Sequence, residues 1–199
     1  TMQQKTLDLV GRKHTVEDVE QIFNLARELG FDNINMDLIA GLPGEDAADM
    51  QDTLEKIEKL HPDSLTVHAL AIKRAAKFGQ EGRTMDPGTE ITQMVEAAAA
   101  SAERMGLVPY YLYRQKNIAG NFENVGYAKP EKEGIYNILI MEEKQSILAL
   151  GAGASTKFVM NDRIERAENV KDIKNYIERI DEMIELSSSL RILLLKQQR

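Results

Sequence analysis

Asn33-Ile34-Asn35-Met36-Asp37-Leu38-Ile39-Ala40-Gly41-Leu42-Pro43-Gly44 is the stretch on which the fold turns. Side chains alternate along a strand, so over Asn33–Ala40 the residues Asn33, Asn35 and Asp37 share one face, and Ile34, Met36, Leu38 and Ala40 the other. The Gly41-Leu42-Pro43-Gly44 turn then delivers the chain to a helix over Asp46–Leu60. A second strand, Ser64–Ala71, repeats the arrangement, with Ser64, Thr66 and His68 opposed to Leu65, Val67 and Ala69. A strand, one helix and a strand form a βα unit with parallel strands, so the two strands are expected as neighbours with Asp37 and His68 on the same side. Parallel strands flanked by helices are ordinarily apolar on both faces. Two successive strands with a polar face point to an interior that is solvated or filled by a ligand.

Working outward, Thr15–Gly30 carries Val19, Ile22, Phe23, Ala26 and Leu29 at helical spacing, with Thr15 as N-cap and Gly30 as stop. On the other side a loop bearing Lys73, Arg74, Lys77 and Gly79 leads through Pro87-Gly88 to an alanine-rich helix from about Thr89 to Met105. Beyond Gly106 the pattern changes. Val108–Arg114 reads as an aromatic strand, Ile135–Gln145 is open between helix and strand, Ile147–Leu150 runs into a Gly/Ala turn, and Lys157–Arg166 reads as a hairpin about Asn161-Asp162. From Val170 on, Ile173, Tyr176, Ile177, Ile180, Met183 and Ile184 recur at helical spacing, and Ser187-Ser188-Ser189 weakens the pattern before Leu190–Leu195. The expected class is α/β, with βα units over residues 1–86 and a helix plus a small α+β extension over residues 87–199.

Composition narrows the chemistry. A net charge of −7 without a basic stripe argues against nucleic acid as a partner. No run of about 18 apolar residues is present, and Thr1-Met2-Gln3-Gln4-Lys5 lacks a signal pattern, so a cytoplasmic protein with no membrane partner is expected. The 199 residues contain no cysteine, which excludes disulfides, thiolate catalysis and a cysteine-ligated cluster within this chain. His14, His61 and His68 lack metal-ligand spacing. The glycines of Gly41–Gly44 are followed by neither Gly-Lys-Ser/Thr nor a dinucleotide fingerprint; they read as a tight turn allowing close backbone approach to a ligand at the strand end. Asp37 lies near the C-terminal end of its strand, where barrels and open α/β sheets place their sites. It is the foremost polar-ligand candidate, against the alternatives of an exposed sheet edge or a cap for the following loop.

The segment Asn35–Gly44 resembles the N-x-D-L-I-x-G-L-P-G segment on the fifth barrel strand of radical S-adenosylmethionine (SAM) proteins of the oxygen-independent coproporphyrinogen III dehydrogenase family. Thr6–Thr15, containing Gly11-Arg12-Lys13-His14, is similar to the family's segment after the fourth strand. Tyr110–Asn117, Gly120–Tyr127 and Leu148–Ser155 resemble the variant branch from Gram-positive bacteria. The resemblance extends to about Glu185. It implies the C-terminal portion of a partial (β/α)6 TIM-like barrel, with SAM across the strand ends and a 4Fe-4S cluster held by a C-x-x-x-C-x-x-C loop; that loop is expected to precede Thr1, making this chain an inactive fragment. It implies an oxidoreductase in which a 5′-deoxyadenosyl radical abstracts hydrogen from a porphyrinogen propionate before decarboxylation to a vinyl group, a step of haem biosynthesis.

By the same resemblance Arg12 would contact SAM, Asp37 its ribose hydroxyl and Ala71 the adenine through backbone, while Gly151 and Ser155 would lie against adenosine, with a tight turn as the other reading of Gly151. Arg114 and Lys116, amid Tyr110, Tyr111, Tyr113, Phe122 and Tyr127, offer cations for propionates beside aromatic surface for pyrroles; core packing is the alternative for the aromatics. A haem-delivery chaperone and a non-catalytic interaction module are the competing functions. An unpaired sheet edge and the Leu190–Leu195 tail lead to an expectation of self-association.

Overall fold

The computed structural model describes residues 1–70, 87–114, 123–160, 163–185 and 188. Expectations for Ala71, the 73–79 loop, Lys116, Phe122, Asn161-Asp162 and the 190–195 tail fall outside them. Among the described residues no helix is long and apolar enough to cross a membrane.

Local chemistry sets the helix starts. After α1 (Gln4–Leu9), α2 (Val16–Glu28) begins at Thr15, whose Oγ1 accepts the Asp18 N–H at 3.1 Å while the Asp18 carboxylate accepts the Thr15 N–H at 2.8 Å. Asp46 caps α3 (Ala47–Leu60) in the same reciprocal way, accepting the N–H groups of Ala48 and Asp49 at 2.9 Å each. Between these helices lies β1 (Asn35–Ala40), and after α3 comes β2 (Ser64–Ala69). The chain continues through α4 (Pro87–Arg104), β3 (Val108–Arg114) and β4 (Glu123–Ala128). The sheet order is β1-β2-β4-β3. β1 and β2 are parallel neighbours with Asp37 opposite Thr66 and Ile39 opposite His68, so Asp37 and His68 share a face as expected.

One face of this sheet makes the core. Leu38 and Ala40 of β1, Leu65 and Val67 of β2 and Tyr127 of β4 join Leu54 and Ile57 of α3 and Ile91, Met94 and Ala98 of α4 in one buried cluster. Each fully buried leucine or isoleucine contributes roughly 1.5–3 kcal/mol. Ala98, Ser101 and Ala102 are wholly buried, which lets α3 approach α4 closely, and Glu58 of α3 accepts hydrogen bonds at 2.6 Å from both Ser101 and Arg104.

Asp63 ties the sheet together at its other end. One carboxylate oxygen faces the Arg27 guanidinium at 2.5 Å and accepts the Ile34 N–H at 2.9 Å; the other meets the Lys129 ammonium at 3.0 Å. The Asp63 and Ser64 N–H groups both donate to the Ile34 carbonyl, and the Lys129 N–H donates to the Asp63 carbonyl. Asn33 and Ile34, expected within the strand, therefore precede it, Ile34 being bonded to this acidic anchor and the Asn33 side chain donating to the Lys132 carbonyl. Burial pushes the Asp63 carboxyl up, but the bonds from Arg27, Ile34 and Lys129 outweigh it and leave the pKa at about 2, below the ordinary 3.8.

The chain divides into compact units Thr1–Gly134 and Ile135–Arg199. The reason is physical: α4 completes the first core, and β4 pairs antiparallel with β2 from Ser64 opposite Ala128 to Val67 opposite Val125. In the second unit Ile135–Met141 is helical (α5), Ile147 bridges to Lys157, and β5 (Ser155–Val159) pairs antiparallel with β6 (Ile164–Glu168). α6 (Ile173–Glu178) is capped by Asp172, and the apolar stripe expected there is largely exposed: Met183 is buried, whereas Ile173, Ile177 and Ile184 are not.

Replacing Asp63 by Ala strands two cations and a backbone N–H, so a loss of about 2–3 kcal/mol at neutral pH is expected in denaturant unfolding. Because the folded pKa lies below the unfolded one, the ionised group's contribution of roughly 2 kcal/mol is complete above about pH 4 and disappears as pH falls through about 2. The alanine variant should lack that part of the acid dependence; an unchanged acid profile would refute the anchor.

Candidate functional site

The face opposite the core carries one lateral row of residues crossing all four strands. Asp37 is in register with Thr66, Thr66 with Gly126, and Gly126 with Tyr111. Directly opposed residues share a face, so these four are aligned from one edge of the sheet to the other. Two local features create the row. The register between β3 and β4 jumps between Pro109 and Tyr111, leaving Tyr110 as the extra residue of a bulge and turning Tyr111 onto this face. Gly126 then has no side chain to obstruct the ring. A Cβ there would fall within the van der Waals radii of Tyr111 Cε1 and Cδ1 and 2.9 Å from Cζ. The ring lies over Gly126 of β4.

The polar atoms form a chain. Thr66 donates its hydroxyl to Asn35 Oδ1 at 3.2 Å, and Asn35 Nδ2 donates to Asp37 Oδ1 at 2.6 Å. Burial pushes the Tyr111 phenol pKa up, and the bond to Thr66 opposes that; the neighbouring Tyr110 and the Asp37 charge add to the rise. Tyr110 itself stands edge-on to Tyr111 with ring centroids 4.9 Å apart. At the upper end of β2, where the ladder to β4 stops, the Asn124 side chain accepts the Ala69 N–H at 3.2 Å.

Among the described residues β1 is the edge of this sheet, and a cleft of about 970 Å³ runs along it. Every residue from Ile34 to Ile39 lines the cleft, which alternation permits only at a free edge, where both faces are reached. Arg12, His14 and His68 share it with Asp37, and Val19, Ile22 and Phe23 of α2 form its apolar side. The cleft thus joins an apolar wall to an exposed carboxylate and a guanidinium.

Of the residues singled out in the sequence, Arg12 and Asp37 come together on this cleft. Ala71 and Lys116 lie outside the described residues, and Arg114 ends β3 in register with Glu123. Gly151 and Ser155 belong to the second unit. Gly151 has φ +105°, donates its N–H to the Tyr176 hydroxyl at 3.3 Å and accepts from the Asn169 amide at 2.9 Å, with no protein atom within 4 Å of a Cβ position; Ser155 opens β5, exposed.

Two expectations are corrected. The polar face is not uniformly open, because Ser64 and Thr66 are only 4% exposed; β2 is central, and the Tyr111 ring covers Gly126 in register with Thr66. Gly41 does not leave room for a ligand at its backbone: with φ +86° its Cβ position lies 2.9 Å from the Ile91 side chain, and its N–H points to Met94 Sδ at 3.2 Å. What sequence reasoning missed is the chain of hydrogen bonds from Thr66 through Asn35 to Asp37, and Tyr111 seated on Gly126 in the same row. The signal available was Gly126, a glycine within an extended stretch near a tyrosine-rich strand.

Residues 1–57, which carry β1 and most of α3, match the Radical SAM superfamily. The chain is also similar to proteins of the oxygen-independent coproporphyrinogen III oxidase group. It is 49% identical over 186 residues to the oxygen-independent coproporphyrinogen-III oxidase-like protein HemZ of Bacillus subtilis, covering 89% of this chain and 36% of that protein. It is 28% identical over 186 residues to the heme chaperone HemW of the same organism, covering 92% and 45%. The solved structure of the radical SAM enzyme coproporphyrinogen III oxidase (HemN) from Escherichia coli shares the fold, with a TM-score of 0.64 at 22% identity over 90% of this chain and 41% of that one. The chain spans less than half the length of these curated relatives.

Gly126→Ala is expected to drive Tyr111 off β4 and cost about 1–3 kcal/mol by overpacking. Adding Tyr111→Ala should recover part of that loss. Equal destabilisation by Gly126→Ala in both backgrounds, measured by denaturant unfolding, would show that the ring does not depend on the glycine.

Proposed function

We propose that this chain forms part of a radical SAM oxidoreductase that oxidatively decarboxylates coproporphyrinogen III to protoporphyrinogen IX. The observation that carries this reading is the exposed Asp37 carboxylate on the cleft-lining edge strand, in a chain 49% identical to a coproporphyrinogen-III oxidase-like protein. SAM has a ribose diol, a carboxylate and an adenine. Asp37 suits the diol, since a carboxylate accepts two hydroxyl donors, and Arg12 suits the carboxylate through its forked N–H groups. Ala71 is assigned to the adenine through its backbone, and Gly151 and Ser155 to the adenosine side. The residues present fit SAM but not the 4Fe-4S cluster, because no cysteine exists in the sequence to hold iron. SAM bound beside a reduced cluster supplies hydrogen abstraction in this class; this chain alone supplies binding and orientation and is not competent for the reaction.

Arg114 and Lys116 are assigned to the propionates of the porphyrinogen, the cations meeting its carboxylates. The protein is read as cytoplasmic, with neither nucleic acid nor membrane as partner. Self-association is the remaining part of the proposal. It is supported by the free edge of β1 and by the outward side chains of Ile22, Leu25, Leu29 and Phe31, exposed by 47–70%. A concentration series in light scattering should reveal species larger than one chain, and a strictly monomeric profile would refute it.

The similarity to the heme chaperone HemW favours a second reading, haem delivery, at the lower identity of 28%. A non-catalytic interaction module has no specific observation in its favour. In the full-length protein, Asp37→Ala should weaken SAM binding about ten- to hundredfold while leaving cluster absorbance intact, the loss of one charge-assisted hydrogen bond worth roughly 1.5–3 kcal/mol. Unchanged SAM affinity in calorimetry would overturn the assignment of Asp37, and haem binding without porphyrinogen turnover would favour the chaperone.

A further inference from the structure

Two hydrogen bonds lead from the interior of the sheet to the Asp37 carboxylate, and together they have a direction. A carboxylate offers only lone pairs, so the Asn35 amide presents its NH2 to Asp37 Oδ1, at 2.6 Å, and turns its carbonyl oxygen toward Thr66. That oxygen accepts the Thr66 hydroxyl proton at 3.2 Å. Exposure decides which of the three residues is the fixed point. Asn35 and Asp37 are exposed on β1 and line the cleft, whereas Thr66 is 4% exposed on β2, a strand paired on both sides. An exposed carboxylate or amide without support samples several rotamers. Thr66 is β-branched and stiff about its first side-chain bond, and the two ladders hold its backbone. Its hydroxyl is therefore the end of the chain that the sheet itself holds in place.

We propose that Thr66 is a positioning residue that holds the Asp37 carboxylate, through Asn35, in the orientation that receives a ribose-type diol. This rests on the reading of Asp37 as a SAM ligand. Thr66, being buried, touches no ligand in this scheme; it engages the Asn35 carbonyl oxygen and so leaves the amide one way to face Asp37. With Oδ1 held by the Asn35 NH2, the carboxylate keeps its remaining lone pairs for the two hydroxyl donors. Without the Thr66 hydroxyl, water takes its place at the exposed amide, which can then turn its carbonyl end to Asp37 and repel it. Ordering the carboxylate before the diol arrives raises affinity by removing that cost from binding.

The test uses the full-length protein with SAM as the probe in calorimetry. Thr66→Val keeps the shape of the side chain and removes the hydroxyl; it should lower SAM affinity roughly three- to tenfold, the range for one neutral hydrogen bond. Thr66→Ser, which restores the hydroxyl on a smaller side chain, should retain the affinity. The effect of Thr66→Val should vanish in Asn35→Ala and Asp37→Ala backgrounds, because a residue acting through these two has nothing left to position. A readout without ligand accompanies these: in 15N NMR the Asn35 side-chain NH2 signals should move in Thr66→Val toward those of a free amide and stay in place in Thr66→Ser. Full affinity in Thr66→Val beside a weakened Asp37→Ala overturns the inference and leaves the site reading intact. Equal losses from Thr66→Val with and without Asp37, or a loss in Thr66→Ser as large as in Thr66→Val, assign the effect to packing and overturn it as well. Full affinity in Asp37→Ala overturns the site reading and this inference with it.

Discussion

The sheet of the first unit depends on Asp63. Its carboxylate draws together the end of α2 through Arg27, the approach to β1 through the Ile34 N–H, and the exit of β4 through Lys129. Its own backbone bonds the Ile34 carbonyl and the Lys129 N–H, so three chain segments are aligned at one residue. The consequence is register. With residue 63 clasping residue 34, Asn35 must fall opposite Ser64 and Asp37 opposite Thr66. A slip of one residue would exchange the two faces, sending Leu38 and Ala40 away from α3 and α4 and Asp37 into the core. The anchor is a buried charge with several hydrogen bonds, the arrangement under which burying a carboxylate costs least.

From that register the two faces of the sheet take different tasks. The face with Leu38, Leu65 and Val67 is closed by α3 and α4, and the wholly buried Ala98, Ser101 and Ala102 of α4 allow the close approach. The other face holds the polar row, and its construction needs two irregularities in otherwise regular strands. The bulge at Tyr110 turns Tyr111 inward, and the glycine at position 126 gives its ring a place to lie. Either alone would fail: without the bulge Tyr111 points to the opposite face, and a side chain at 126 would collide with its ring. Irregular strand features beside a site are a recurring means of aiming a side chain that regular alternation would misplace.

Asp37 is exposed on β1 and lines the cleft with Arg12, whereas β2, paired on both sides, buries Ser64 and Thr66, where an unpaired carboxylate would be costly. The hydrogen bonds from Thr66 through Asn35 reach Asp37 from within the sheet.

Much of this was legible in the sequence because it rests on local chemistry. Thr15 and Asp46 announce their helices through capping boxes, alternation over Asn35–Ala40 and Ser64–Ala69 gives two parallel strands with Asp37 and His68 on one face, and the motif around Asp37 points to the radical SAM class. What escaped was non-local. β4 was hidden because its Glu, Asn and Gly have little strand propensity and pair only through β2 and β3. Nothing in the local pattern distinguishes Gly41, filled by Ile91, from Gly126, covered by Tyr111; both are glycines beside turns or strands until another element arrives. The sequence by itself determined the elements, the polar face and the candidate carboxylate, since these depend on residues close together along the chain. Only the tertiary structure decided that α4 and the β3–β4 hairpin join the first unit and that Tyr111 falls in the same lateral row as Asp37, because lateral neighbours across a sheet are set by pairing between segments many residues apart.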